Sequence, residues 1–158
     1  MIGHTATVTM GRESSLSDQA KFIGAWRLIS IERRAADGEV DYPYGPAPKG
    51  YIIWTADSHM AVVLTHGERP PFKSSDARAG TDREKAMAFD GLFTYAGPYH
   101  VADGAVHHKI EHCHVPNMQG QTQTRFYTFE GKRVILKSAP TAAGGKDRVT
   151  SIVWERAG

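Results

Sequence analysis

The run YIIWTADSHMAVVLT, residues 51–65, has the pattern of two β-strands joined by a tight turn. Its first five residues are apolar and rich in β-favouring side chains, Ala56-Asp57-Ser58 interrupts them, and the segment His59–Thr65 resumes the pattern. Two such runs on either side of a short polar break are typical of a β-hairpin. We therefore expect antiparallel strands in this part of the chain.

Strand patterns also occur on both sides of this hairpin. Residues 26–33 alternate between two faces with a period of two, which is typical of a strand with one buried face. Five more segments with strand character follow, separated by turn-forming Gly, Pro and Asn residues: 92–101, 106–115, 122–129, 133–138 and 148–156. About eight closely spaced strands predict an all-β fold, either a sandwich or an up-and-down barrel.

A barrel is favoured over a sandwich because short connections let a sheet of this size close on itself, which removes both exposed edges. We expect a single antiparallel β-barrel of about eight to ten strands, wide enough to enclose one small ligand. Thr81-Asp-Arg-Glu84 has the spacing of a capping box and predicts one short helix. Residues 17–22 are expected to form a helical turn before the first strand, and the polar segment 66–80 to form a long loop.

Length and composition exclude several classes of protein. A chain of 158 residues with a formal net charge of +2 has room for one domain and no surplus of Lys and Arg for a nucleic-acid surface. Its longest apolar runs are far shorter than the ~20 residues of a membrane-spanning helix. We assign residues 17–158 to the barrel domain and expect residues 1–16 to be a disordered or vector-derived tail.

A single cysteine, Cys113, and the lack of a secretory signal pattern indicate a reducing, cytoplasmic location. We expect Cys113 to be a buried, inert thiol that neither His112 nor His114 reaches, because neighbours on a regular strand point to opposite faces. The sequence contains no glycine-rich phosphate loop, so no nucleotide cofactor is expected.

A family resemblance adds to this prediction. Gly24-Ala-Trp26 before a strand is similar to the G-x-W opening of lipocalin-type barrels, in which the Trp closes the base of the barrel and a late Arg, here Arg156, packs over it. The chain resembles the bacterial and fungal lipocalin-like domain family over about residues 20–157. Further matching segments are 37–40, 42–45, 50–55, 95–99, 108–111, 116–117 and 153–156. The resemblance implies a barrel with a small-molecule cavity, and it implies no single reaction.

Histidines are concentrated in one segment, where four of the eight lie within eight consecutive residues. In a regular strand His108, His112 and His114 share one face, while the charged Lys109 and Glu111 lie on the other. The charged face suits solvent, so we expect the three imidazoles to face the barrel interior. A β-bulge in this strand would exchange the faces beyond it and turn Glu111 inward.

Interior histidines predict cofactor-free acid/base chemistry on a bound molecule, of the isomerase, cyclase, dehydratase or hydrolase type. The predicted catalytic residues are His108, His112, His114, Glu111 and Tyr95. His108 is expected to transfer the proton, at a pKa near neutrality if a carboxylate lies close to it. Tyr95, Tyr99 and Arg125 are expected to stabilise developing negative charge.

Two other functions fit the same residues. A binding protein without chemistry would use the histidines only to set the polarity of its cavity. A metal-dependent barrel enzyme would use His108, His112 and His114 as ligands for Zn or Fe, since three neutral imidazoles can hold either metal with one position open. The acid/base hypothesis itself needs no metal or other cofactor.

The predicted partner is a small, largely apolar organic ligand or substrate, held by an apolar wall with a few polar groups. The expected ligand-binding residues are Trp54, Met60, Tyr99, Arg125, Tyr127 and Phe72. Phe72 is expected either to plug the mouth of the barrel or to anchor its own loop, and residues 42–48 to form either a rim or a stiff connection. No nucleic-acid or membrane partner is expected, and an outward apolar strip would favour a homodimer.

Overall fold

The computed structural model describes residue 16 and residues 18–158. The predicted N-terminal tail, residues 1–16, lies outside these residues except for Leu16, and the domain boundary at residue 17 stays a prediction. Residues 18–22 are helical and lead into the first strand, as expected. Within the described part of the chain, no helix has the length and apolar character needed to span a bilayer.

Eleven strands, one α-helix and one 3-10 turn follow in the described residues after position 22. In chain order the strands are β1 (Gly24–Ala35), β2 (Val40–Asp41), β3 (Lys49–Trp54), β4 (His59–Thr65), β5 (Leu92–Ala102), β6 (Ala105–Lys109), β7 (His112–Cys113), β8 (Thr122–Glu130), β9 (Arg133–Lys137), β10 (Thr141–Ala143) and β11 (Lys146–Arg156). Helix α1 spans Asp82–Asp90 and the 3-10 turn spans Pro116–Met118.

Eight of these strands close into a barrel. Each is antiparallel to the next in the order β1-β3-β4-β5-β6-β8-β9-β11. Strand β11 then pairs back onto β1, from Trp26 opposite Arg156 to Ala35 opposite Arg148. The short strands β2, β7 and β10 pair with β1, β5 and β11. The predicted all-β, single antiparallel barrel with one short helix is therefore confirmed.

The hairpin of β3 and β4 shows how the residue pattern fills the barrel. Strand β4 alternates between the buried Met60, Val62 and Leu64 and their more exposed neighbours, and β3 buries Ile52 and Trp54 in the same way. Successive side chains of a strand point to opposite faces, so the apolar half of each strand lies inside. Full burial of one such aliphatic side chain stabilises the fold by about 1.5–3 kcal/mol.

Aromatic side chains close one end of the barrel. The rings of Trp54 and Phe129 each lie 5.0 Å from the ring of Phe22, which belongs to the N-terminal helical segment. The indole of Trp26 donates a 2.7 Å hydrogen bond to the Phe22 carbonyl. The Arg156 guanidinium lies 4.4 Å from the centre of the Trp26 ring, so the packing implied by the family resemblance is confirmed.

The capping box correctly predicted the start of α1. Thr81 Oγ1 accepts a 3.2 Å hydrogen bond from the Glu84 amide, and Glu84 Oε2 accepts a 2.8 Å bond from the Thr81 amide. Glu84 also accepts a hydrogen bond from the backbone amide of Lys73. This carboxylate therefore ties the long segment 66–80 to the first turn of the helix.

The predicted continuous strand over residues 106–115 is interrupted by a β-bulge. Tyr99 lies opposite His108. Tyr95 lies four residues earlier on β5, but its partner Cys113 lies five residues later than His108. One extra residue therefore separates β6 from β7, and the inward and outward faces exchange beyond it.

Gly97 of β5 accommodates this bulge. An added Cβ at this position would lie 1.9 Å from the carbonyl oxygen of Lys109 and 3.0 Å from the amide nitrogen of Glu111. Only a residue without a side chain leaves room for the bulged backbone. Glycine inside a strand often marks a bulge, so Gly97 is the feature of the sequence from which this one is predictable.

Candidate functional site

A cavity of about 200 Å³ lies inside the barrel. Its wall combines aliphatic, aromatic and a few polar side chains, which are Ile31, Arg33, Pro43, Tyr44, Ile52, Val62, Leu64, Phe93, Tyr95, His108, Arg125, Leu136, Thr150, Ile152 and Trp154. All eight barrel strands contribute to this wall, so closure of the barrel is what creates the cavity. A mostly apolar volume with a few placed polar groups is the usual form of a small-ligand site.

His108 on β6 is 1% exposed, and both of its ring nitrogens are engaged. The indole N–H of Trp54 donates to Nε2 over 3.1 Å, and Nδ1 lies 2.9 Å from the hydroxyl oxygen of Tyr95. Burial, reinforced by the neighbouring Arg125 and His107, lowers the pKa of His108 to about 3. The imidazole is therefore neutral at physiological pH. The condition for a pKa near neutrality, a nearby carboxylate, is not met by any residue that the structure describes.

These contacts determine the tautomer of His108. An indole nitrogen only donates, so Nε2 of the neutral imidazole accepts and Nδ1 carries the hydrogen. The Nδ1–H group then donates to the Tyr95 oxygen, which leaves the Tyr95 hydroxyl hydrogen for another acceptor. Burial raises the pKa of Tyr95 to about 12, so this hydrogen stays on the phenol at neutral pH. Tyr95 therefore offers a hydrogen-bond donor to the cavity.

Arg125 on β8 contributes a positive charge to the same wall. Its Nη1 donates a 3.0 Å hydrogen bond to the carbonyl of Thr124, and no carboxylate of the described residues acts on the guanidinium. Burial lowers the pKa of Arg125, but an arginine stays protonated in proteins. Arg33 also lines the cavity, but its Nε and Nη2 donate to Asp41 over 2.7 and 2.8 Å. Arg125 is therefore the uncompensated charge of the cavity.

Trp154 on β11 supplies a second unused donor. Its side chain is 1% exposed and lines the cavity. Its Nε1 is buried and has no hydrogen-bond partner among the described residues. Buried polar groups are normally paired, and leaving one unpaired costs about 1–3 kcal/mol. This N–H is buried in the packing behind the cavity wall, so its hydrogen-bonding capacity is left unsatisfied.

The structure brings three of the predicted polar residues together at the cavity, namely His108, Tyr95 and Arg125. The expectation that His112 and His114 share the interior with His108 is wrong, because the bulge between β6 and β7 exchanges the faces of the strand. His112 is exposed, and His114 is half-buried outside the cavity wall. One imidazole, rather than three, therefore faces the interior.

Glu111 and His114 are also separated from the cavity. Glu111 is exposed, so the bulge does not turn it inward. The imidazole of His114 lies 4.8 Å from the ring of Phe89 on α1 and 5.6 Å from the ring of Phe93 on β5. Within the described part of the chain, no three His, Cys, Asp or Glu side chains are grouped as metal ligands.

Among the predicted ligand-binding residues, Arg125 is the one that belongs to the cavity wall. Trp54 and Tyr127 pack against Phe22 in the aromatic cluster at the base, with ring centres 5.0 and 5.1 Å from it. Met60 is buried in the core without reaching the wall. Trp54, Tyr127 and Met60 are not part of the cavity wall, so the structure does not support the prediction that they contact a ligand.

Tyr99 and Phe72 lie outside the wall as well. The Tyr99 hydroxyl donates a 3.0 Å hydrogen bond to the Thr55 carbonyl, which holds the turn between β3 and β4. The ring of Phe72 packs on Gly80, where an added Cβ would lie 2.7 Å from it. Of the two roles expected for Phe72, anchoring its own loop is the one that fits this packing.

Five polar or aromatic wall residues are not among the residues predicted from the sequence: Arg33, Tyr44, Phe93, Thr150 and Trp154. Thr150, Ile152 and Trp154 are every second residue along β11, so the period of two places all three on one face. Arg33 lies opposite Thr150 in the β1–β11 pairing. Tyr44 belongs to the segment 42–48, whose contribution to the wall agrees with the expected rim.

Cys113 faces inward beyond the bulge and packs against the core. Its Sγ lies 3.8 Å from Nδ1 of His114, because β7 ends at Cys113 and the chain turns there. The expectation that neither neighbouring histidine reaches the sulfur is therefore wrong for His114.

A second, larger concavity of about 750 Å³ lies on the outer surface, between residues 66–73 and helix α1. We call it the outer groove. Its lining residues are His66, Glu68, Arg69, Pro70, Pro71, Phe72, Lys73, Glu84, Met87, Ala88, Asp90 and Gly91. It shares no lining residue with the interior cavity, so mutations can separate the two.

Comparison with protein families finds one described as a lipocalin-like domain, whose model matches residues 23–157. Comparison with curated proteins finds no match. The matched residues contain the whole barrel from β1 to β11, together with the Trp26–Arg156 contact at its base. The chain therefore belongs to the lipocalin-like domain family.

Proposed function

We propose that this protein binds a small, largely apolar organic molecule inside its barrel. The observation that carries the proposal is the interior cavity of about 200 Å³, whose wall is mostly aliphatic and aromatic. An apolar cavity of about 150 Å³ is large enough to bind benzene. The volume therefore suits a one-ring compound with a short substituent. Membership of the lipocalin-like domain family supports the same function.

Binding without chemistry is favoured over cofactor-free acid/base catalysis. A general acid or base works best when its pKa lies near the operating pH. Burial lowers the pKa of His108 to about 3 and raises the pKa of Tyr95 to about 12, so neither group exchanges a proton readily near pH 7. These two groups are suited to orient a ligand by hydrogen bonding rather than to transfer protons.

The metal-dependent alternative has less support than binding. It requires His108, His112 and His114 in one coordination sphere. His112 is exposed to solvent, whereas His108 is buried, with 1% of its surface exposed. Both nitrogens of His108 are already engaged by Trp54 and Tyr95. A metal ligand needs one free ring nitrogen, so holding a metal would break one of these bonds.

The proposal is tested by titrating the protein with toluene, 4-ethylbenzamide and 4-ethylbenzoate while NMR records the methyl signals of the wall residues Ile52, Leu136 and Ile152. At least one compound is expected to shift these signals in a saturable manner. Failure of all three compounds to shift them would contradict binding in the cavity.

A matched pair of variants locates the binding. Thr150 lines the cavity, whereas its neighbour Ser151 faces away from it on the same strand. Thr150→Phe is expected to fill the cavity and abolish the methyl shifts, and Ser151→Phe is expected to leave them unchanged. Equal binding by the two variants would place the ligand elsewhere.

The homodimer and the cytoplasmic location stay predictions. Three apolar side chains, Tyr51, Ile53 and Val63, are exposed on the adjacent strands β3 and β4, which supports an outward apolar strip. Analytical ultracentrifugation of the wild-type protein and of Ile53→Lys tests the dimer. A mass equal to one chain in both proteins would contradict it.

A further inference from the structure

We infer that the ligand carries one carboxylate, which Arg125 and Tyr95 bind inside the cavity. This inference rests on the proposed function, since it assigns a chemical class to the molecule that the cavity holds. It follows from the charge of the wall and from the direction of its hydrogen bonds.

The charge balance of the cavity favours an anion. Arg33 and Arg125 are the two charged side chains of the wall, and Asp41 neutralises Arg33 through two hydrogen bonds of 2.7 and 2.8 Å. Arg125 has no such partner in the described part of the chain. Arg125 is half-buried. A charge that is partly removed from water is stabilised by an opposite charge, so the structure leaves a position for one negative charge beside Arg125.

The hydrogen-bond directions favour a group that only accepts. His108 has no free nitrogen, because Nε2 accepts from Trp54 and Nδ1–H donates to Tyr95. The Tyr95 hydroxyl hydrogen is an unused donor. Arg125 adds further N–H donors. A carboxylate accepts from both residues, whereas an amide or alcohol would bring its own hydrogens to these donors.

Arg125, Tyr95 and His108 line the same cavity. The charge of Arg125 influences the pKa of Tyr95 and the pKa of His108, so all three share one electrostatic environment. Most of the remaining wall is apolar, with Ile52, Leu136 and Ile152 among its members. A few donors in an otherwise apolar wall match a one-ring or short-chain monocarboxylic acid.

The test compares 4-ethylbenzoate with its neutral isostere 4-ethylbenzamide by isothermal titration calorimetry at pH 7 and low salt. Hydrogen bonds to a charged group are worth more than neutral ones, so the wild-type protein is expected to bind the benzoate at least about tenfold more tightly. Arg125→Met keeps the apolar stem and removes the charge. This variant is expected to lose at least about tenfold in benzoate affinity and to change benzamide affinity by less than about twofold.

Lys137→Met is the matched control for a general loss of positive charge. Lys137 is exposed on the neighbouring strand β9 and lies opposite Phe126, the residue after Arg125. This variant is expected to keep the preference for benzoate. An equal loss of benzoate affinity in both variants would overturn the inference, because any nearby positive charge would then contribute as much as Arg125.

The outcomes separate the two proposals. Saturable binding of 4-ethylbenzamide in the cavity without any preference for the benzoate would overturn the carboxylate inference and leave the proposed function standing. Binding of toluene alone would also overturn only the carboxylate inference, whereas no binding of any of the three compounds would overturn both. Unchanged benzamide affinity in Arg125→Met shows that the variant is folded, so a loss of benzoate binding is then specific.

Discussion

The hydroxyl oxygen of Tyr95 lies 2.9 Å from Nδ1 of His108, across the β5–β6 pairing of the barrel wall. The opposite ring nitrogen of His108 accepts from the Trp54 indole, which leaves Nδ1 as the donor to Tyr95. The Tyr95 hydroxyl is therefore directed to a third group. Through this chain of contacts, a buried and neutral histidine turns a tyrosine into a donor for whatever occupies the cavity.

Replacing Tyr95 by Phe leaves the Nδ1–H of His108 buried without an acceptor. We expect the free energy of unfolding to fall by about 1–3 kcal/mol, because this is the usual cost of an unsatisfied buried donor. The affinity for 4-ethylbenzoate is expected to fall as well, since one of its donors is lost. Urea denaturation and calorimetry measure the two effects.

Tyr99→Phe is the control for this change. Tyr99 is also buried, and its hydroxyl donates to the Thr55 carbonyl without reaching the cavity. This variant is expected to lose stability while it keeps its benzoate affinity. Equal losses of affinity in both variants would show that the Tyr95 hydroxyl has no particular role in binding.

The buried His108 predicts that stability declines in mild acid. The ordinary pKa of 6.5 applies to the unfolded chain, whereas burial lowers the pKa of His108 in the folded protein to about 3. As pH falls from 6.5, the unfolded chain therefore takes up a proton that the folded protein does not bind. The free energy of unfolding therefore falls as the pH falls. The contribution of His108 to this decrease is roughly 2–3 kcal/mol between pH 6.5 and pH 4.5.

Urea denaturation at a series of pH values, compared between the wild-type protein and His108→Gln, isolates this contribution. The paired carboxylates with lowered pKa values, such as Asp41, lose their stabilising effect only below their ordinary pKa of 3.8. The range above pH 4.5 therefore reports mainly on histidine. Identical pH slopes in the two proteins would contradict a depressed pKa for His108.

Gly97 is predicted to be intolerant of any side chain. The Cβ of an alanine would lie 1.9 Å from the Lys109 carbonyl oxygen, so Gly97→Ala must displace the bulge. We expect a loss of more than about 3 kcal/mol, as is typical of severe backbone or core disruption. Gly104→Ala is the comparison, since Gly104 has a φ of +72° and nothing within 4 Å of its Cβ position.

Gly104→Ala is expected to cost about 1–2 kcal/mol from its left-handed backbone alone. Thermal denaturation of both variants measures the difference. A smaller loss in Gly97→Ala than in Gly104→Ala would contradict the close approach described here.

Arg156 is predicted to stabilise the base of the barrel. It stacks on Trp26 and donates hydrogen bonds of 3.1 and 2.6 Å to the carbonyls of Ile23 and Lys21. Arg156→Ala is expected to lower the free energy of unfolding by about 1–3 kcal/mol. Arg133→Ala, which removes a surface pair with Glu155, is expected to cost less than about 1 kcal/mol.

Chemical denaturation of both arginine variants makes this comparison directly. Because Arg156 joins the end of β11 to the segment that carries Phe22, its loss is expected to loosen the closure of the base. Equal stability of Arg156→Ala and Arg133→Ala would mean that the stacked arginine acts only as a surface charge.

The sequence predicts the barrel well because local patterns determine most of it. Strand β4 was predicted at His59–Thr65 from its alternation, and the Thr81–Glu84 pair predicted the start of α1. Both features depend on residues close together in the chain. The stacking of Arg156 on Trp26 is long-range, and it was predicted through the family resemblance rather than from spacing.

The candidate site is predictable only in part, because one extra residue in a strand reverses every side chain beyond it. The alternation placed His108 correctly and placed His112 and His114 wrongly, since the bulge lies between them. Gly97 indicates this bulge, but only the pairing of β5 with β6 and β7 shows where the extra residue lies. The unpaired donor of Trp154 depends on the three-dimensional packing around it, which no local pattern contains.

The crystal structure of the protein with 4-ethylbenzoate tests the central claim most directly, because it shows whether the ligand lies in the interior cavity or in the outer groove. We expect the ring to lie in the barrel against Ile52 and Ile152, with its carboxylate about 3 Å from the Arg125 guanidinium and the Tyr95 hydroxyl. A ligand seated in the outer groove, with only water beside Arg125, would contradict the account.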